Sequence, residues 1–547
     1  MYRKLLIYKL KLITLFLSGM ICILMIGACS SSQPYRFKNA LPFIQYNDTL
    51  PIDIPKATQY QGFNNTFDVI LRKPVVDAFN FSRIEPSKDV NSMDEVPASS
   101  WFTPRLGYRE IAPDELLRGP LEYGPPQPPI KIVSGKFAGL TPGFIAEDSR
   151  GITYLFKFDP KEFPGIETTS ALIVNRLFWG FGYNVPEDYF YYLSEKDLFV
   201  DPNSNLTKTN LDSILGRISP PEYGWYRCTV SKFLEGILLG PFAATGVRED
   251  DPNDFIPHEQ RRILRALRVF GAFTNYTDLR LDNTLDVYFG EPGEGHVKHY
   301  LVDFGRSLGA FSVDENQLWE GSNHLFSFND AAKNLVTGGL IVQDWEKLKY
   351  TPWKSVGVFE STIFRPEKWK ESYPFAPIQQ SQPPDNYWAA KILGALTHEQ
   401  IEMLVMAANY PEEEAALYVI KTLMERRKKT VEYFLKQVSP IEAYGIINWK
   451  LYLKDMLKAL ISERGEDTKY EICFYNDRLE KIAEKMNLSQ QQTTFILPIP
   501  QSLFEKADGY LIVDVKSVWG GEPAPRSAQF HIRADNRDAP VLVGVVH

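Results

Sequence analysis

At 547 residues, 44% hydrophobic and 23% charged, the chain is long enough for roughly two to four globular domains with cores of their own. Its net charge of −8 supplies no basic face for a polyanion, which sets nucleic-acid binding aside. Seven histidines, with no His-Glu-x-x-His helix around His296 or His299, likewise argue against a metal-dependent hydrolase.

Residues 1–11 are basic, 12–26 are apolar, and Gly27-Ala28 are small before Cys29, the layout of a signal peptide over 1–28. The alternative is a transmembrane anchor, for which the apolar run is short of the ~20 residues a spanning helix needs. Ile26-Gly27-Ala28-Cys29 resembles the lipobox of bacterial lipoproteins. The resemblance implies that Cys29 becomes a lipidated, palmitate-bearing N-terminus held in the lipid bilayer of the cell envelope, and Ser30 in place of Asp implies the outer membrane. Cys228 and Cys473 then remain, in separate strand-like runs. They read as free buried thiols, although an oxidising compartment permits a bridge.

Residues 29–61 are polar and proline-punctuated, the composition of a tether. An N-terminal extension over 62–125 carries strand-like runs at 66–71 and 75–81 and a loop, 94–102, ending in Trp101-Phe102. The prolines of 125–129 mark a boundary. Beyond it, 126–240 reads as a small lobe. Strands are expected at 130–133, 144–147 and 153–158, a helix over 167–182 capped by Thr168 or Thr169, then strands at 189–193 and 225–234. Gly135 and Gly139, in the turn after the first strand, free the backbone to approach a phosphate, though a plain hairpin turn explains them equally. Lys157 lies in an apolar strand, where a core-facing charge requires a partner. Either Glu167 or Glu162 supplies one, or Lys157 points to solvent. Residues 203–223 lack periodicity and read as an insertion, and Glu235-Gly236 ends the last strand.

From 241 to 440 the chain reads as a larger, mainly helical lobe. The acidic loop 249–254 reads as a solvated turn, and the helix over 258–273 carries Arg261, Arg262, Arg265 and Arg268, a solvated face rather than an anion site. The stretch 274–309 carries the chemistry. Strands at 284–289 and 299–304 flank a Gly-rich turn at 290–295, which brings Asn283 close to Asp303. An amide and a carboxylate are oxygen ligands suited to Mg²⁺ beside substrate phosphates. Asp278, on the loop before the hairpin, is placed to accept a proton from an attacking hydroxyl, and Arg280 to neutralise a transferring phosphate. Arg306 offers a phosphate contact or a salt bridge. Helices follow at 387–396, 398–408 and 412–436.

Asp278-x-x-x-x-Asn283 followed by Asp303-Phe304-Gly305 resembles the catalytic and metal loops of protein kinases. Tyr276-Thr277 stand where the usual His-Arg would be, and Arg280 where a lysine would be. Loss of that His-Arg is typical of atypical kinases such as the HipA and phosphoinositide-kinase relatives. The 94–102 loop, the Asn-Thr-Leu-Asp of 283–286 and the Asp-Phe-Gly together resemble an uncharacterised family of bacterial lipoproteins, a likeness that brings no activity with it. The kinase resemblance implies Lys157 at the nucleotide phosphates with Glu167 as its partner, a hinge at 235–236 for an adenine, and Mg²⁺ with ATP or another nucleotide as cofactors.

Residues 441–547 alternate in short runs, as in a small β-sandwich, and on a surface lipoprotein suggest binding to glycan or to an envelope protein. The expected fold is therefore α+β: a two-lobed kinase-like core between an N-terminal extension and a C-terminal β-rich domain. The expected function is a membrane-anchored phosphotransferase acting on a hydroxyl. The alternative is a pseudokinase-like scaffold of the envelope without turnover, which better suits a compartment poor in ATP.

Overall fold

The computed structural model describes residues 37, 47–58, 84–136, 140–311, 313–325, 343–461, 468–534 and 540–547. The signal peptide, Cys29, most of the tether, the strands expected at 66–71 and 75–81, and Gly139 lie outside them. No helix among the described residues is long and apolar enough to cross a membrane. The architecture is mixed α/β.

A six-stranded sheet is built from β1 (Ile130–Gly135), β2 (Gly143–Glu147), β3 (Thr153–Phe158), β4 (Asp188–Ser194), β5 (Leu198–Val200) and β6 (Trp225–Lys232) in the order β4-β6-β3-β2-β1-β5. All neighbours are antiparallel except β1 and β5. Period-two burial puts Ile130, Ile132, Phe144, Ala146, Tyr154 and Phe156 on one face, where they form a core of their own. Residues 203–223 are not the unpatterned insertion expected. They contain a helix, Lys208–Leu215, capped by Thr207, and Leu206, Leu211, Ile214 and Ile218 complete the core of the sheet. Eight helical residues with two buried side chains are too short for the 3.6-residue period to stand out.

The helix Ile166–Gly180 joins the sheet to the largest core, and every one of its residues except Trp179 is buried. Neither Thr168 nor Thr169 caps it. Gly165 takes a left-handed backbone at φ 86°, and Asp159 Oδ1 accepts from the N–H groups of Glu167 and Thr168 at 3.0 and 2.9 Å. The same core takes in Trp101 and Phe102, the segments Arg262–Arg265 and Leu267–Thr274, and the helices Pro383–Gly394, His398–Ala407 and Glu413–Leu435. Burying an aromatic such as Phe178 or Trp388 contributes about 2–3 kcal/mol.

Three of the four arginines expected on a solvated face are in fact inside, and Arg268 is half-buried. Arg261, Arg262 and Arg265 are nearly inaccessible and pair with Asp254 (2.6 Å), Asp94 (2.7 Å) and Asp385 (3.1 and 3.3 Å). The acidic loop is not a solvated turn for the same reason: Asp251 and Asp254 are buried, and Asp254 also accepts from His258 at 2.7 Å. Asp94 and Asp385 come from distant stretches of chain, so helical spacing carries no sign of them, whereas Asp254 lies seven residues before Arg261 in the acidic loop.

A third core is shared by two sheets near the C-terminus. One comprises Ile441–Ile447, Lys450–Asp455 and Thr494–Pro498, and the other centres on Thr468–Tyr475, Tyr510–Trp519, Ala528–Arg533 and Val541–Val546. Lys391 Nζ ties this unit to the rest, lying between Glu95 and Glu442. Cys228 is buried, Cys473 half-buried, and both are free.

Candidate functional site

After β7 (Ile237–Gly240), the hairpin of β8 (Thr284–Phe289) and β9 (His296–Leu301) forms a three-stranded sheet, with Thr284 opposite Leu301. The second strand starts and stops three residues earlier than expected. Asp303 stands beyond its end, because its backbone is left-handed at φ 60°, which a ladder cannot accommodate. A non-glycine residue there costs about 1–3 kcal/mol unless its surroundings hold it. They do so on two sides. Phe304 is buried against Phe178 and Tyr276, at ring-centre distances of 5.1 and 5.5 Å, and the Tyr276 hydroxyl lies 3.2 and 3.1 Å from the carbonyls of Val302 and Asp303.

Lys157, on β3, reaches Asp303 across the cleft between the two sheets: Nζ to Oδ1 is 2.7 Å. Burial works to lower the pKa of this ammonium, but Asp303 and Glu167 outweigh it and the net direction is up. Burial pushes the Asp303 carboxyl upward, Lys157 prevails, and the group is held below the usual carboxylate range. The Asp303 side chain is nevertheless 44% exposed, so it stands at the mouth of the cleft. Lys157 therefore points neither to solvent nor into a pair with Glu167, the partner expected for it.

Glu167 lies beside that pair without closing it. Its Oε2 is buried with no hydrogen-bond partner among the described residues. Burial, with Asp303 adding and Lys157 opposing, pushes its carboxyl up to about 8. It packs against Gly305, where a Cβ would come within 2.6 Å of Glu167 Cγ, so only glycine fits at that approach. Glu162, the competing candidate, is exposed.

Asp278 and Asn283 are joined directly. The Asn283 amide nitrogen donates to Asp278 Oδ2 at 2.9 Å and to its carbonyl at 2.8 Å, and the Asn283 carbonyl accepts from Val302 N at 3.0 Å, one residue before Asp303. With its nitrogen so used, the amide oxygen of Asn283 accepts no hydrogen bond among the described residues. Burial is the main influence raising the pKa of Asp278, opposed by Arg306 and Arg280. Arg280 is tied up, bridging Asp278 at 3.1 Å and Asp282 at 2.8 Å. Arg306 forms salt bridges rather than standing free, to Asp278 at 3.2 Å and Glu320 at 2.5 Å.

Gly135 does not offer its backbone to a ligand, since its N–H donates to Asn205 Oδ1 at 3.0 Å. Two residues the sequence reading did not place at the site belong to it. Tyr276, seen only as a departure from His, holds the backbone of Asp303, and Lys136, between glycines, carries a further ammonium into the cleft. For Lys136 the sequence signal was its place in the glycine-rich turn. An oxygen donor set of Asn283 and Asp303 fits a hard divalent cation, which takes few carboxylates alongside phosphates.

No protein-family model matches the sequence, and no curated protein is matched by it. Solved structures that are similar over part of the chain include two kinases. The Helicobacter pylori proinflammatory kinase CtkA is 11% identical, with a TM-score of 0.28 over 55% of this chain and 96% of that one. The Golgi casein kinase with Mn/ADP bound is 9% identical, with a TM-score of 0.30 over 56% of this chain and 72% of that one.

Proposed function

We propose that the chain is a kinase-like phosphotransferase, anchored to the envelope through Cys29 and transferring phosphoryl from a magnesium nucleotide to a hydroxyl acceptor. The observation that carries it is the 2.7 Å contact of Lys157 with Asp303, beside a bonded Asp278–Asn283 pair on the adjoining loop. In this reading Lys157 holds phosphate and Asp278 orients the acceptor hydroxyl, with Arg306 and Arg280 fixing Asp278. Asn283 and Asp303 would hold Mg²⁺, which when bound neutralises phosphate charge. Positioning and preorganised charge then supply most of the rate, as phosphoryl transfer allows.

One observation favours the scaffold reading: Asp303 already has a cationic partner, and Asp278 has two. Thermal unfolding with and without Mg²⁺ and ATP separates the readings. Saturating nucleotide at a hundred times its Kd stabilises the folded chain by about 2.7 kcal/mol. Asp303→Asn is expected to lose most of the Mg²⁺-dependent part. A wild-type chain indifferent to every nucleotide and metal would leave the scaffold. Labelled nucleotide incubated with envelope extract would then reveal the acceptor, and loss of palmitate labelling in Cys29→Ala would test the anchor.

A further inference from the structure

Just beyond the end of β1 a second lysine lies near Lys157. Lys136 Nζ donates to the Thr141 carbonyl at 3.1 Å, so its side chain folds back across the turn. On the way it passes Gly143, where a Cβ would lie 3.5 Å from Lys136 Cδ and 2.2 Å from the Phe156 carbonyl oxygen. Gly143 is the cross-strand partner of Lys157. The two lysines therefore converge from the strands on either side of β2, over a position that has to be glycine.

Their charges are unequally matched. Lys157 has Asp303, whereas Lys136 has no carboxylate within ion-pair distance among the described residues, only the Thr141 carbonyl. Burial and the like charge of Lys157 lower the pKa of Lys136, while Glu167 and Asp303 act the other way, so the four groups share one field. Two ammonium groups repel at this approach, and an anion with charge on two adjacent centres relieves the repulsion at both.

We propose that Lys136 and Lys157 form a two-ammonium clamp for consecutive phosphate groups of a nucleoside di- or triphosphate, Lys136 from the turn and Lys157 from β3. The proposal rests on the nucleotide reading above and deepens it: recognition is by the polyphosphate, so a monophosphate binds far more weakly.

Calorimetric titration of the full chain with MgADP, and separately with metal-free inorganic tripolyphosphate, tests it. Lys136→Gln is expected to weaken both by about tenfold or more, the scale of one lost charge-assisted hydrogen bond. Lys136→Arg is expected to recover most of the loss. Lys131→Gln removes the same charge from an exposed lysine paired with Glu147 and is expected to change neither by more than about twofold. If Lys136→Gln misfolds, Lys136→Arg and the salt dependence of tripolyphosphate binding to the wild-type chain carry the test, because a two-cation clamp weakens steeply with salt. MgADP affinity untouched by Lys136→Gln, or flat against salt, overturns the clamp and leaves the phosphotransferase reading standing. Tripolyphosphate binding that needs both lysines, with no response to MgADP, keeps the clamp as a polyphosphate site and overturns the nucleotide reading. Absence of binding by either ligand overturns both.

Discussion

Two clusters of buried charge, one around Lys157 and Asp303 and one around Arg261, Arg262 and Arg265, are built from similar side chains and differ in how fully each carboxylate is matched. Asp385 receives Arg262, Arg265, the Ser87 hydroxyl and the Gln382 N–H. Asp254 receives Arg261, His258 and the Arg248 N–H. In the cleft, Asp303 holds Lys157 from a left-handed backbone, Glu167 keeps a buried oxygen without a partner, and Lys136 donates only to a carbonyl. The matched cluster fastens the extension and the Pro383–Gly394 helix to the core. In the function proposed above, the unmatched one is where a ligand would be taken up.

The largest effect should come from breaking the matched cluster. Asp385→Ala leaves Arg265 buried without its carboxylate and Arg262 with Asp94 alone, and is expected to cost about 3–5 kcal/mol in chemical unfolding. A loss below about 1 kcal/mol would mean that these arginines find water, and the contrast between the clusters would fail. Gly305→Ala probes the other side. The added methyl meets Glu167 side-chain atoms at 2.6–2.9 Å, and the expected cost is about 1–3 kcal/mol together with a weaker response to MgADP. A variant as stable and as responsive as wild type would show that Glu167 moves freely.

The contrast also explains what could be read in advance. Asp278, Asn283 and Asp303 lie on one hairpin and its approaching loop, so chain-local spacing was enough to bring them together. Lys157 was legible as a charge in an apolar strand, but its partner was misassigned. Glu167 is nearer in sequence, whereas the contact runs to Asp303, 146 residues on. Two of the arginine partners were invisible for the same reason: Arg262 stands 168 residues from Asp94 and 123 from Asp385, and helical periodicity reports burial only through apolar residues. Lys136 was passed over because a glycine-rich turn suggests backbone contacts, whereas Gly135 gives its N–H to Asn205 and the side chain between the glycines enters the cleft.

The most selective effect is one of pH. The Glu167 carboxyl, ordinarily near 4.5, is pushed up to about 8 in the folded chain, first by burial. A carboxyl raised on folding contributes stability that is complete below its unfolded value and is lost as pH climbs through the folded one, because the unfolded chain releases its proton first. Asp303 works in the opposite sense and a different window: burial acts upward on it, Lys157 prevails, and its contribution is lost only in acid, as pH falls through its lowered pKa. Between about pH 5 and pH 8.5 the Glu167 term is therefore separable. Glu167→Gln, neutral throughout, is expected to lie close to wild type near pH 5 and to exceed it by up to about 4 kcal/mol at pH 8.5 in urea unfolding. Binding of MgADP should widen the gap, since a polyphosphate held by Lys136 and Lys157 removes cationic support from Glu167, raises its folded pKa further and so enlarges the difference from the unfolded chain. Parallel pH profiles for the two chains would mean that Glu167 is solvated or paired after all, which would make the cleft no less matched than the arginine cluster.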